Sequence, residues 1–375
     1  MEYKLVETQS ELDAYLQEIK KCDYIAVDTE FIRSTTYYPR PSLVQICFKP
    51  QFAILIDCVR IPNLEPLLDI IYDPNIIKVF HAARQDLEIF YYKRHNLPKN
   101  IFDTQLAVML LNFPKDISYE KMVKALLNVD VDKSQTHSDW LKRPLSAKQL
   151  QYAANDVFYL YEIYPIIIKL LEKHKHGHWL ENLFAPLMDA NTYENRNAKD
   201  IAKLSHDFSP EILSLIYNIL IWREDMAKRL DIPRNNVIDM DIIKEIAKNL
   251  PLNYQALKKI VGNKFKEEYL EHIFSIISAE DTLPFSIEKT PSLNKDQVAI
   301  YNLFKILLQH VAAEQKVNEY LIANNEELID FILHGENSHA RFLQGWRFEV
   351  FGNLAVDFLN AKKAIKIQDG KVVLE

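Results

Sequence analysis

The sequence predicts a mixed α/β domain, a β-sheet flanked by helices, over its first half and an all-α region over its second. Three observations carry this reading. Between residues 24 and 80, short β-branched runs alternate with segments whose apolar residues recur at helical spacing, whereas from Phe208 onward only the helical spacing appears. The run Tyr24-Ile25-Ala26-Val27-Asp28-Thr29-Glu30-Phe31 ends an otherwise apolar strand in two carboxylates. Side chains alternate faces along a strand, so Asp28 and Glu30 share one face and Val27, Thr29 and Phe31 take the other.

Composition narrows the function classes. The chain has 375 residues, 48% hydrophobic and 26% charged, enough for two or three compact domains. Its six glycines form neither G-x-G-x-x-G nor G-x-x-x-x-G-K, so a nucleotide cofactor held by a glycine-rich loop is not expected. Cys22, Cys47 and Cys58 have no C-x-x-C spacing, which argues against zinc and a disulfide framework and fits a reducing cytosol. The start lacks a basic region followed by an apolar core, and no apolar run approaches the ~20 residues that span a bilayer, so a cytoplasmic protein without a membrane partner is expected. A net charge of -7 counts against a broad basic nucleic-acid surface, although acids clustered around a metal would lower the formal charge while presenting cations to a phosphate.

In chain order, Tyr3 to Val6 predicts a short strand, and Ser10 caps a helix from Glu11 to Lys20 with Leu12, Tyr15, Leu16 and Ile19 at helical spacing. The acid-bearing strand follows. The polar and aromatic stretch Ile32 to Pro39 then reads as a loop leaving a strand that already holds acids, a place where loops contact ligand. Leu43 to Phe48 and Phe52 to Ile56, separated by Lys49-Pro50-Gln51, extend the sheet as a hairpin and make three consecutive antiparallel strands. Leu64 to Ile71 predicts a helix, Ile76 to Phe80 a strand, and Arg84 to Arg94 and Leu106 to Leu111 two more helices.

Two carboxylates about 4 Å apart repel by roughly 4 kcal/mol at an effective dielectric near 20, and a divalent cation removes that cost. An isolated Asp-x-Glu triplet most often belongs to a loop or a helix cap. Further acids make the metal reading stronger here. Asp86 stands at the strand-to-helix junction His81-Ala82-Ala83-Arg84-Gln85-Asp86, where a helix dipole alone would also favour an acid. Tyr152 and Asp156 are i and i+4 on one helix face, with the small Ala153 and Ala154 allowing close approach to the sheet. A phenol presented beside a carboxylate fits acid–base or water-positioning chemistry.

Asp28-x-Glu30, Asp86 after His81, and Tyr152-x-x-x-Asp156 resemble the three exonuclease motifs of the DEDD superfamily in its tyrosine branch, and most closely the ribonuclease D family. Asp28-Thr29-Glu30-Phe31 followed by Thr36-Tyr37-Tyr38-Pro39, Leu43-Val44-Gln45-Ile46, His81-Ala82, Asp103-Thr104-Gln105, Asp132-Lys133-Ser134, Asp139-Trp140 and Arg143-Pro144-Leu145 support the resemblance. The histidine branch places His five residues before the last aspartate, where this chain has Gln151.

The resemblance implies a ribonuclease-H-like fold, two divalent metals, Mg²⁺ or Mn²⁺, held by Asp28, Glu30, Asp86 and Asp156, and Tyr152 positioning the attacking water. Thr29, Phe31 and His81 are expected to bind substrate. The implied activity is 3′→5′ exoribonucleolysis that releases nucleoside 5′-monophosphates from tRNA precursors and other structured RNAs, by a monomer. A DNA exonuclease of the same fold and a catalytically inactive nucleic-acid binding protein are the competing readings. The order of domains, without helicase or polymerase segments, favours RNA, and the intact acidic set with Tyr152 argues against the inactive reading.

The second half reads as helical modules. The tract Glu172 to His178 is taken as a solvated helix end rather than a metal site, and 183–207 as a polar helical bridge that includes Tyr193-Glu194-Asn195-Arg196. Trp222-Arg223-Glu224, Ala227, Arg229-Leu230-Asp231-Ile232-Pro233 and Val237-Ile238 resemble a helicase-and-RNase-D C-terminal (HRDC) domain. After Pro284 and Pro291, Gln344-Gly345-Trp346-Arg347 resembles the end of a second, divergent HRDC-like unit. The expected boundaries are 1–175 for the exonuclease domain, 176–207 for the linker, 208–288 for the first HRDC domain and 289–375 for the second. Lys258, Lys259, Lys264 and Lys266 could contact phosphates or form an ordinary solvated face.

Overall fold

The structure, a computed structural model, describes all residues except 133, 137, 181, 195–196, 205–206, 263–264 and 280–292. Lys133, Asn195, Arg196, Lys264, Pro284 and Pro291, and the boundary set at residue 288, therefore lie outside the described residues.

The first half is built on a six-stranded sheet. Its strands are β1 (Glu2–Val6), β2 (Tyr24–Ile32), β3 (Arg40–Lys49), β4 (Phe52–Asp57), β5 (Ile77–Phe80) and β6 (Ile101–Asp103), in the order β1-β4-β3-β2-β5-β6. β2, β3 and β4 pair antiparallel, as the hairpin reading requires, while β5 and β6 continue from β2 in parallel and β1 lies parallel to β4. The acid-bearing β2 thus sits inside the sheet, bonded on both sides.

One face of the sheet carries α1 (Gln9–Ile19), α2 (Glu65–Tyr72) and α3 (Arg84–Arg94), which close a core with Ile25, Val27, Ile46 and Ile54. The opposite face carries α4 (Thr104–Ala107), α5 (Tyr119–Leu127) and the 28-residue α6 (Ala147–His174) over Ala26, Leu43, Cys47 and Leu55. Ser146 opens α6 in a capping box with Gln149, which satisfies two orphan backbone donors reciprocally. Ahead of it, Arg143 donates to both oxygens of the fully buried Asp57, at 2.7 and 2.8 Å.

Several expectations need correction. α1 is capped by Thr8 rather than Ser10, because Thr8 Oγ1 accepts from the Glu11 backbone N–H three residues on. The segment Leu106 to Leu111 is not one helix: α4 ends at Ala107 and a tighter 3₁₀ turn runs over Val108–Leu111. β6 and α5 were not anticipated; β6 is three residues long and carries no alternation. The tract Glu172 to His178 is solvated except at His176, which is buried with Nδ1 2.8 Å from Leu110 O and its ring stacked on Trp179.

The second half is helical. α7 (Asn191–Glu194) and α8 (Asn197–Leu204) lead into a module of α9 (Pro210–Leu230), α10 (Arg234–Val237), α11 (Met240–Asn249), α12 (Tyr254–Val261) and α13 (Glu267–Ser278) around Leu213, Ile216, Leu220, Ile246 and Leu270. There follow α14 (Lys295–Gln315), α15 (Glu319–Ile322), α16 (Asn325–His334), α17 (Gly345–Arg347) and α18 (Asn353–Leu359). The all-helical expectation fails at the end of the chain, where β7 (Ile365–Gln368) and β8 (Lys371–Leu374) form an antiparallel hairpin around Asp369-Gly370, both at positive φ.

Candidate active site

β2 delivers its acids to the sheet's α6 face: one oxygen each of Asp28, Glu30 and Asp156 lies within 4.8 Å of the others. Ala153 and Ala154, both fully buried, let α6 come close enough to the sheet to bring Asp156 there. The pairing of β2 with β3 shifts register immediately after Glu30, a bulge beyond which Phe31 and Ile32 pair again with Pro41 and Arg40.

Asp86 arrives from the other side. It lies in the first turn of α3, is 7% exposed, and accepts a 2.5 Å hydrogen bond from Thr29 Oγ1, the side chain on the opposite face of β2. Asp86 is therefore next to the three-acid group but outside it. Ala83, at the start of α3, has no polar side chain to cap the helix, and the carboxylate of Asp103 from β6 instead holds this start by accepting from Ala83 N at 2.9 Å and Ala82 N at 3.2 Å. Asp103 also accepts from Gln105 N and so caps α4. One buried acid fixes two helix starts, and through α3 it fixes Asp86.

Burial dominates the electrostatics. It pushes Asp28 up to about 7. Glu30 is pushed up to about 10, by burial first and then by the charges of Asp28, Asp156 and Asp86. Asp86 and Asp156 are likewise raised by burial and by Asp28, with hydrogen bonds from Thr29 and Tyr152 respectively pulling the other way. The cleft in front of these acids has a volume of about 790 Å³, and Arg33 is the only Lys or Arg among the described residues that line it. Arg33 is itself paired with Glu88 of α3 at 2.9 Å.

Tyr152, one turn before Asp156, lies with its hydroxyl 3.4 Å from Thr136 Oγ1 and its ring 6.0 Å from that of Trp140, at the cleft wall. Burial, then Asp156, raises its phenol above the usual range. Thr29, Phe31 and His81 also line the cleft. The Thr29 hydroxyl is engaged by Asp86, and both ring nitrogens of His81 have partners: Nδ1 lies 3.0 Å from Thr104 Oγ1 and Nε2 3.1 Å from Ile117 O. Burial lowers His81 to about 4, so it is a neutral imidazole at physiological pH.

Sequence reasoning placed Arg33 in a ligand-contacting loop without singling it out, and missed Tyr119 and Glu120 in the lining. Tyr119 donates to Asn155 O at 2.8 Å, and the charge of Glu120 reaches Asp156. Their spacing carries no signal, because α5 is brought to the cleft only by its packing on α6.

The residues present fit a divalent cation. The donors are all carboxylate oxygens, the set preferred by Mg²⁺ and Mn²⁺, and the raised affinities for protons show charge that no side-chain cation in the group offsets.

Comparison with known proteins shows the family of the chain. A family described as 3′-5′ exonuclease matches residues 3–172, and the HRDC domain family matches 213–277. The chain is 33% identical to a ribonuclease D of Bartonella henselae over 98% of its own length and 93% of the relative's. It is 31% identical to that of Sphingobium indicum over 99% and 98%. The crystal structure of Escherichia coli RNase D, an exoribonuclease involved in structured RNA processing, superposes with a TM-score of 0.77 at 26% identity, covering 96% of this chain and 99% of that one.

Proposed function

Because the chain belongs to the ribonuclease D family of hydrolytic exoribonucleases, we propose that it trims tRNA precursors and other structured RNAs from the 3′ end, releasing nucleoside 5′-monophosphates. The observation that carries the site assignment is the convergence of Asp28, Glu30 and Asp156 within 4.8 Å at a cleft of about 790 Å³.

Asp28, Glu30, Asp86 and Asp156 would hold two divalent ions, Mg²⁺ or Mn²⁺, which when bound supply Lewis acidity and charge at the attacking and leaving oxygens of the phosphodiester. Asp28 neighbours every other acid of the set electrostatically, so its charge would contribute to holding either ion. The Tyr152 hydroxyl orients the water whose oxygen bonds to phosphorus as the bond to the 3′ oxygen breaks; the water gives up a proton, the 3′ oxygen gains one as the hydroxyl of the shortened RNA, and the phosphate stays on the 5′ oxygen of the released nucleotide. Phe31 offers an apolar wall to the terminal base. His81, neutral and held at both nitrogens, and Thr29, held by Asp86, shape the floor rather than donate protons.

The proposal extends to the helical half. Residues 208–288 form the first HRDC domain and 289–375 a second, divergent one, joined to the 1–175 domain through the 176–207 linker. Lys259 and Lys266 are candidate phosphate contacts, while Lys258 is engaged by Glu267 at 3.4 Å. We further propose a cytoplasmic monomer that uses no nucleotide cofactor. Among the described residues no helix is long and apolar enough to cross a membrane.

The test is incubation of the purified protein with 5′-labelled tRNA precursor, single-stranded RNA and single-stranded DNA in Mg²⁺, Mn²⁺ or EDTA. A ladder shortening one nucleotide at a time on RNA, stopped by EDTA, is the expected result. Equal turnover of the DNA would replace the RNA reading with its DNA counterpart.

A further inference from the structure

The loop that leaves the catalytic strand does not end in solvent. Ile32, Arg33 and Ser34 line the cleft, and a few residues later Tyr37, 2% exposed, is buried in the core of the first helical module with Leu213 and Leu220. The Tyr37 hydroxyl bonds to Glu224, a buried acid of α9 that Arg234 also holds. The backbone is caught as well: Asp231 Oδ1 accepts from both Tyr37 N and Tyr38 N at 3.1 Å, and Asp231 Oδ2 pairs with Arg40 at 2.9 Å. Asp231 is the residue that ends α9, in the left-handed region at φ +50°.

At its other end the same loop presents Arg33, the only Lys or Arg among the described residues lining an otherwise acidic cleft. Glu88 of α3 holds that guanidinium from one side at 2.9 Å, on the helix that also carries Asp86. A loop pinned at one end by α3 and at the other by the helical module has its course between them set by both.

We propose that Asp231 is a positioning residue for the exonuclease reaction, fixing the loop so that Arg33 faces the RNA backbone in the cleft. Arg33 is the side chain that touches substrate, and a guanidinium suits a phosphate because its fork matches two oxygens at once. The helical module is on this view part of the scaffold of the active cleft, in addition to any RNA surface of its own. This rests on the assignment of the Asp28 cleft as the active site.

The backbone conformation supplies a discriminating pair of variants. Asp231→Gly removes the carboxylate at a left-handed position that glycine adopts freely, so no strain is added. Asp231→Asn keeps an Oδ1 acceptor for both amides and loses only the exposed Arg40 pair. Steady-state hydrolysis of a short single-stranded RNA by the full chain with Mg²⁺ gives the readout. D231G raises KM about tenfold with kcat within about threefold, the loss of one charge-assisted contact made in ground and transition state alike. D231N stays within about twofold of wild type, and Arg33→Gln raises KM as D231G does. The double variant D231G/R33Q is no worse than R33Q alone, because both changes remove one interaction. In hydrogen exchange the amides of Tyr37 and Tyr38 lose protection in D231G and keep it in D231N. A D231G protein with wild-type KM, a D231N as impaired as D231G, or effects of D231G and R33Q that multiply would overturn the proposal. Asp28→Asn serves as the control: if it still turns over RNA, the cleft assignment itself fails, whereas a dead D28N beside an unaffected D231G refutes only the role of Asp231.

Discussion

Asp28 shows how one carboxylate can be costly to the empty protein and necessary to the working one. Half-buried beside Glu30 and Asp156, it raises the proton affinity of its neighbours, and neutralising it relieves part of that repulsion. Asp28→Asn should therefore melt at or above the wild-type temperature in EDTA. In excess Mg²⁺ the wild type should gain about 2.7 kcal/mol when the free ion is 100 times its dissociation constant, and the variant much less. Thermal melting of both proteins with and without Mg²⁺ decides this, and equal Mg²⁺-induced shifts would remove Asp28 from the ligand set. Tyr152 is a different kind of residue, since its ring packs near Trp140 while its hydroxyl faces the acids. Tyr152→Phe keeps the ring and removes the hydroxyl, so single-turnover hydrolysis should slow by about 10²–10⁴-fold with RNA affinity nearly unchanged. A rate within a few-fold of wild type would make Tyr152 a packing residue.

At the scale of elements, the site is held by polar ties between segments far apart in sequence. His81, at the end of β5, joins Thr104 in α4 to the Ile117 carbonyl ahead of α5, and it does so as a neutral ring. Its proton affinity is lowered to about 4 by burial, so between pH 6.5 and 4 the unfolded chain binds a proton that the folded chain refuses. This contribution to stability is complete above the unfolded value and is lost as pH falls toward 4, by about 3 kcal/mol at most. The raised carboxylates run in the opposite sense over much of the same range, so the measurement is a difference. Wild type should lose more urea stability than His81→Asn on going from pH 7 to 4.5, and parallel losses would show that His81 does not titrate this way. These ties also explain what the sequence could and could not say. Asp28 with Glu30, and Tyr152 with Asp156, are legible because strand and helix periods place neighbours in sequence on one face. The antiparallel triplet was legible from the hairpin between β3 and β4. Asp103 at the start of α3, Arg33 beside Glu88, and Asp231 on the Tyr37 amides were not, because each joins residues from 20 to 194 positions apart that no local period relates.

For the whole molecule, the sequence reading separates a nuclease half from a helical half, and the structure joins them at both helical units. The first is bound through Tyr37 and Asp231. The second shares one continuous apolar cluster with α6, in which Phe304, Leu307, Phe331 and Phe342 pack in the same body as Val157, Phe158 and Ile163. Asn318 closes the seam with polar groups, its N–H donating to Met109 O at 2.8 Å and its side-chain amide to Phe113 O at 3.0 Å. A ring ladder continues it, with His176 stacked on Trp179 at 4.2 Å and Trp179 on Trp346 at 4.5 Å, the guanidinium of Arg347 lying over Trp346. Stacked aromatic pairs add about 0.5–1.5 kcal/mol beyond the area they bury, and truncating a buried Trp costs about 3–5 kcal/mol. Trp346 is only partly buried, so Trp346→Ala should cost about 2 kcal/mol or more. Because the cluster spans both halves, that cost should fall on the exonuclease domain too. Loss of nuclease activity on heating and loss of helical signal should shift down together in Trp346→Ala, each by several degrees. If the helical signal falls early while activity survives to the wild-type temperature, the C-terminal helices are a separately folding unit and the shared cluster does not couple the two halves.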